Sequence, residues 1–268
     1  MAETAPDQRD DGFGTALAAE IDGLYRYARW LVGDGVEAED LVGDTMVRAL
    51  ERRDQFRGES TLATWLHRIL YHRAIDRSRH AGHELVVEDV ERNWDDERYS
   101  VDAADVLVRA ENREGLIEAL VHVPVHYRNV VVLHDAQQWT VAEIAEQFEL
   151  SIPATKQRLR RGRMMLVSSL ARQEERRVAN HDVTLGCAQA RSLVSDYLDD
   201  ELDAPQRTQL ESHLEHCATC PPLYAALVGV RELVGTLRDP NDVIPDAIRE
   251  RLTGLVATPT LPPVAPDD

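Results

Sequence analysis

The chain has 268 residues, a formal net charge of −18, 43% hydrophobic residues and only 5% aromatic ones. That length suits two or three small domains, and no apolar run reaches the roughly 18 residues of a membrane span, so no membrane contact is expected. The acidic N-terminus MAETAPDQRDDGFG lacks the apolar core of a signal peptide, and three cysteines are few, so a reducing, cytoplasmic setting is expected. The net charge argues against a nucleic-acid partner only as an average, because the charge is unevenly spread.

In chain order, residues 1–14 read as disordered. Residues 15–81 read as a helical unit, with Val42, Met46, Ala49 and Leu50, then Leu62, Trp65, Leu66, Ile69 and Ile75, recurring at helical spacing. Gly33-Asp34-Gly35 and Arg57-Gly58-Glu59-Ser60 break its helices, and Ser60 or Thr61 can cap the third. Residues 82–101 are acidic and weakly periodic and read as a linker; from Glu84 to Glu111 ten acids face three bases. A second helical unit spans 102–177. Val130-Val131-Val132-Leu133 suits a strand by propensity, but its helical neighbours favour a buried helix. A third unit spans 182–238. The tail, 239–268, is Pro-rich with one short amphipathic helix, in which Ile244, Ile248 and Leu252 share a face. The expected fold class is all-α, with no strand: two small helical domains joined by an acidic linker, then a small helical metal-binding domain.

The segment from Thr140 to Arg163 reads as a helix-turn-helix. Ile144 and Ala145 face inward in the first helix, Glu149-Leu150 turn, Ser151 caps the second helix, and Pro153 sits in its first turn, where a missing N–H costs nothing. From Lys156 to Arg163 five of eight residues are basic and none is acidic. In such a motif the second helix enters the DNA major groove. Lys156, Gln157 and Arg160 share the outer face and suit base edges; Arg158, Arg161 and Arg163 suit phosphates. An exposed basic helix face without DNA is the plainer reading, and the cap and inward apolar pattern weigh against it.

All three cysteines fall in one pattern, Cys187-x25-His213-x3-Cys217-x2-Cys220. Two thiols two residues apart can grip one ion, and His213, one turn before Cys217, can face the same point. Three thiolates and an imidazole in tetrahedral number suit Zn2+. His216 and His181 are possible substitutes; His213 is preferred because i to i+4 places it on the face of Cys217. Plain burial of the cysteines and a Cys217–Cys220 disulfide are the rivals. Nothing resembles a nucleotide loop, a nucleophile elbow or a paired catalytic carboxylate motif, so no enzyme is expected.

The segments EAEDLVGDTMVRAL, FRGESTLATWLHRI and AIDRSR, within residues 24–80, resemble region 2 of the extracytoplasmic-function (group IV) sigma factors, and residues 116–170 resemble their region 4. The resemblance implies a protein that binds core RNA polymerase, through the beta-prime coiled coil and the beta flap, and directs it to promoter DNA. It places Asp40, Leu41, Asp44 and Thr45 at the beta-prime contact. Trp65, Arg68, His72, Arg73, Asp76 and Arg77 fall where the family melts and reads the −10 element, and Lys156, Gln157 and Arg160 where it reads the −35 element. Tyr71 and His72 depart from the Arg and Asn common there, which bears on −10 preference. Trp65 suits core packing as well as DNA contact.

Residues 187–224 resemble the zinc-binding anti-sigma domain, which elsewhere is usually a separate protein wrapped on a sigma factor. Fused here, with eight acids and two bases from Asp182 to Cys220, it implies an intramolecular contact with the sigma regions at high effective concentration. Inhibition in cis, released by zinc loss or thiol oxidation, assistance, and a purely structural zinc all stand open. The chief rival for the whole chain, a helix-turn-helix repressor with a zinc-binding effector domain, leaves residues 24–80 without a role.

Overall fold

The computed structural model describes residues 8–78, 84–171, 175–177, 185–238 and 244–257. They divide into two compact units: residues 1–77 with 241–268, and residues 78–240.

The first unit contains α1 (Gln8–Ala19), α2 (Ile21–Val32), α3 (Gly35–Glu51), α4 (Leu62–Ser78) and α14 (Asp246–Ala257). Gly33, at φ 83°, ends α2, and the Asp34 carboxylate opens α3 by accepting from the amides of Val36 and Glu37, both at 2.9 Å. The Thr61 hydroxyl caps α4, taking the amide of Thr64 at 3.1 Å. Leu24, Tyr27, Leu31, Leu41, Val42, Met46, Leu66 and Leu70 fill the core. Asp44 ties α3 to α4 by accepting from Arg77 at 2.6 Å and Arg73 at 3.3 Å.

Part of the segment read as disordered is helical: α1 covers residues 8–14, while residues 1–7 lie outside the described set. Two glycines make this stretch a poor helix by propensity, and tertiary packing overrides that. Leu17 is fully buried, Phe13 lies 6.4 Å from the ring of Phe56, and a Cβ on Gly14 would meet the Val256 carbonyl of α14 at 3.0 Å. The tail helix α14 thus docks within the first unit. Ile244 and Leu252 are buried and Ile248 half-buried.

The second unit runs α5 (Val87–Asp95), β1 (Tyr99–Val101), α6 (Ala103–Glu111), α7 (Arg113–Val121), α8 (Val125–Val131), a π-helical turn (Val132–Ala136), α9 (Val141–Gln147), α10 (Ile152–Ala171), β2 (Glu175–Arg177), α11 (Cys187–Leu198), α12 (Ala204–His216) and α13 (Cys220–Thr236). Val130 to Leu133 is helical and buried, as its neighbours suggest. Residues 84–101, within the segment read as an acidic linker, are folded. Within it α5 and β1 fold because Trp94 is buried, with its indole N–H donating to Ser168 Oγ of α10 at 2.9 Å. β1 pairs antiparallel with β2, Ser100 opposite Arg176, which corrects the expectation of no strand. One buried Trp outweighed the acidic composition, and three-residue strands are too short for a period-2 signal.

The α9–turn–α10 motif forms as its caps demand. Thr140 and Glu143 make a reciprocal capping box, Glu149 takes φ 55° in the turn, and Ser151 Oγ accepts from Ala154 N at 3.3 Å. α8 crosses α10 at Gly162, where a Cβ would lie 2.5 Å from Val131 Cγ2, so only glycine fits without displacement.

Candidate metal centre and nucleic-acid interface

Cys187 opens α11, His213 lies in the last turn of α12, Cys217 follows it and Cys220 opens α13. All four are buried, and their ligand atoms lie within 4.8 Å of one another. The Cys187 and Cys217 sulfurs are 3.7 Å apart, near the roughly 3.8 Å edge of a tetrahedron with Zn–S bonds of about 2.3 Å. The cysteines are free, with no disulfide among them. His213 Nδ1 donates to the Leu185 carbonyl at 2.8 Å, so Nε2 carries the lone pair; it is buried and has no hydrogen-bond partner. A buried acceptor aimed among three thiols fits a metal ligand. His216 is exposed and turns its Nδ1 to the Ser212 carbonyl. His181 lies outside the described residues. Burial pushes the Cys187 thiol above its ordinary value and Cys220 up to about 12. A metal must therefore displace their protons. All four corners are protein groups, so the set suits a closed structural site.

Around the sulfurs lies a shell that sequence reading missed. Thr219 Oγ1 stands 3.4 Å from Cys217 Sγ, Cys220 N–H points at Cys217 Sγ at 3.4 Å, and Arg191 Nε donates to Cys220 Sγ at 3.4 Å. Arg191, one turn after Cys187, was legible only as a rare base in an acidic stretch.

Part of the basic face of α10 is occupied. Lys156 Nζ lies 2.7 Å from Glu201 and 3.8 Å from Asp196, and the Glu201 contact, set against partial burial, raises its proton affinity. Glu91 of α5 holds Arg161 at 2.7 Å and lies 4.0 Å from Arg160. Gln157 is exposed and Arg158 half-buried. Arg163 departs from the expected phosphate role. It is 3% exposed and buried between Asp135, at 2.6 Å, and Asp199, at 2.8 Å. Its helix phase, shared with Leu159, Leu166 and Leu170, turns it inward.

In the first unit, Trp65 is half-buried beside Phe56, with ring centroids 5.4 Å apart. Trp65, Arg68, His72, Arg73 and Asp76 line a cleft of about 420 Å³ together with Arg48, Arg52, Gln55 and Ile69. Arg77 instead pairs with Asp44. Of the four residues expected at the polymerase contact, Asp40 is exposed and Asp44 half-buried, but Leu41 and Thr45 are fully buried. Thr45 Oγ1 donates to the Leu41 carbonyl one turn back, so both lie on the inner face of α3. Beside them α14 covers α3. Arg251 grips Glu39 in a two-point ion pair at 2.5 and 2.6 Å, and a Cβ on Gly43 would touch Leu255 at 3.4 Å.

A helix-turn-helix behind a helical unit with an arginine- and tryptophan-lined cleft, followed by a Cys3His cluster, defines the class of a sigma-type transcription protein with a fused metal-binding unit. Residues 18–84 match the Sigma-70 region 2 family, residues 113–166 Sigma-70, region 4, and residues 187–220 a putative zinc-finger family. The chain is 31% identical over 149 residues to ECF RNA polymerase sigma factor SigM of Mycobacterium tuberculosis, covering 55% of this chain and 71% of the relative. It is 32% identical over 182 residues to SigG of the same species, covering 60% of this chain and 49% of the relative, and thus spans about half of that protein. Against SigW of Bacillus subtilis it is 27% identical over 167 residues, covering 60% and 89%. The chain belongs to the ECF RNA polymerase sigma factor family and carries a C-terminal zinc-finger-like, anti-sigma-like unit. Among the described residues no helix is long and apolar enough to cross a membrane.

Proposed function

We propose that this chain is an alternative sigma factor that binds core RNA polymerase, directs initiation at its own promoters, and is held in check by its own C-terminal segments. The Trp65–His72 cleft supports −10 reading, since opened DNA needs planar groups for splayed bases and cations for the single-stranded backbone. Lys156, Gln157 and Arg160 are assigned to −35 bases, with Arg158 and Arg161 on phosphates.

The observation that carries regulation in cis is the seating of Asp196 and Glu201 on Lys156. Carboxylates stand where DNA acceptors would otherwise be. Cys187, His213, Cys217 and Cys220 would hold Zn2+, which supplies no reaction chemistry but fixes the start of α11 to the α12–α13 turn. That junction orients the acidic end of α11 toward α10. In the first unit, α14 shields α3 beside Asp40 and Asp44, the side chains assigned to the polymerase contact.

The test is promoter-complex formation by the full chain, with and without core polymerase. The reading expects retardation of a promoter fragment only with core enzyme. Tight, sequence-specific binding by the chain alone would favour the repressor.

A further inference from the structure

Arg191 is 3% exposed, yet no described carboxylate pairs with it. Its guanidinium donates to the carbonyls of Trp94 at 2.5 Å, Asp96 at 2.9 Å and Tyr99 at 2.9 Å, to Thr219 Oγ1 at 3.3 Å, and to Cys220 Sγ at 3.4 Å. Four of these acceptors are neutral dipoles, and a buried cation needs a counter-charge. The thiol set can provide it. Three thiolates and one neutral imidazole around a divalent ion leave one net negative charge, which matches the one positive charge of Arg191.

We propose that Arg191 is a positioning residue that balances the charge of the metal centre and, through it, clasps the corner where α5 passes into β1. This rests on the reading that the Cys3His set holds a divalent metal. The same corner is tied to the centre twice more. Thr219 Oγ1, beside the sulfurs, donates to the Glu97 carbonyl at 2.9 Å, and Ser100 Oγ donates to the Thr219 carbonyl at 3.2 Å. With the ion in place the cation is matched and the corner is held. Without it the divalent centre that fixes the three sulfurs is gone, Arg191 is left with the corner carbonyls and Thr219, and the corner loosens. α5 carries Glu91, the carboxylate on Arg161, so the state of the metal is passed to the recognition helix through the backbone of residues 94–99 as well as through the α11 acids.

The experiment uses the full chain and its Arg191→Met and Arg191→Lys variants. Zinc affinity is read by competition with a chromophoric chelator, and hydrogen exchange by mass spectrometry on peptides covering residues 94–101. Arg191→Met is expected to lose about 10- to 100-fold in zinc affinity. Arg191→Lys, which keeps the charge, is expected to lose clearly less, whereas a merely structural role predicts equal losses. At saturating zinc, Arg191→Met should still exchange faster than the parent at 94–101, while peptides of α7–α9 stay unchanged. Stripping zinc from the parent should speed exchange at 94–101. Equal affinity in parent and Arg191→Met, or exchange at 94–101 that ignores zinc in the parent, overturns the proposal. If Arg191→Met does not fold, the Arg191→Lys affinity and the parent's exchange decide. A parent that binds no zinc overturns the metal reading itself, which the competition reads directly.

Discussion

Asp135 shows how one buried residue ties the recognition helix to its surroundings. Burial alone would raise its carboxyl, but Arg163 and His134 override that and hold it below the ordinary aspartate value. Arg163 is served the same way: burial works against its charge, and Asp135 and Asp199 more than offset it. Removing one partner of a buried pair leaves an unmatched charge, so Asp135→Asn is expected to cost about 3–5 kcal/mol in denaturant unfolding at pH 7. A carboxyl depressed in the folded state contributes stability above its unfolded pKa of about 3.9, and that contribution is lost as pH falls through the folded value. The difference between parent and Asp135→Asn should therefore shrink between pH 5 and pH 2; a constant difference would count against the ion pair. At the metal centre, burial pushes the Cys187 thiol above its ordinary value and Cys220 up to about 12, which opposes the loss of their protons. Zinc must expel the protons of all three ligand thiols, so the logarithm of its apparent affinity should rise by up to about three per pH unit between pH 6 and 8. Cys217→Ser should lose most zinc binding and lower the melting temperature of the second unit. The four ligands were legible because their spacing obeys chain geometry. Arg191 and Asp199 were not, because a buried cation and its partner have no local signature, although Arg163 did sit in phase with Leu159, Leu166 and Leu170.

At the scale of elements, three helices, α5, α11 and α14, lie on surfaces that the family resemblance assigns to other partners. α5 places Glu91 on Arg161, and the end of α11 with the turn after it places Asp196 and Glu201 on Lys156. These pairs are partly exposed, so each is worth no more than about 1 kcal/mol. A Glu91→Gln, Glu201→Gln variant should bind a −35 duplex about 2- to 10-fold more tightly in fluorescence anisotropy, with the gain fading at high salt. An unchanged affinity would mean that these carboxylates do not compete with DNA. α14 covers α3, with Leu252 buried and Arg249 in a two-point pair with Asp22 at 3.0 Å. Leu252→Asp should release it and raise affinity for the polymerase beta-prime coiled coil in pull-down; no change, with the first unit folded, would remove α14 from the regulatory account. The helix itself was legible from the spacing of Ile244, Ile248 and Leu252. Its docking place was not, since an apolar stripe names no partner. The same limit hid α5, whose acidic composition masked a single anchoring tryptophan.

For the whole molecule, the average charge of −18 conceals a division of labour. A basic recognition helix is faced by acids from its own chain, and the C-terminal third contributes α11–α13 to the second unit and α14 to the first. The central claim is that these segments restrain a sigma factor in cis. Run-off transcription with core polymerase, comparing the full chain with a version ending at Arg177, tests it most directly. The account predicts that truncation raises promoter-specific transcript yield, and that chelating zinc from the full chain moves its yield toward that of the truncated form. Truncation that lowers or abolishes transcription while the remaining helices stay folded would contradict it and make the C-terminal segments a required helper.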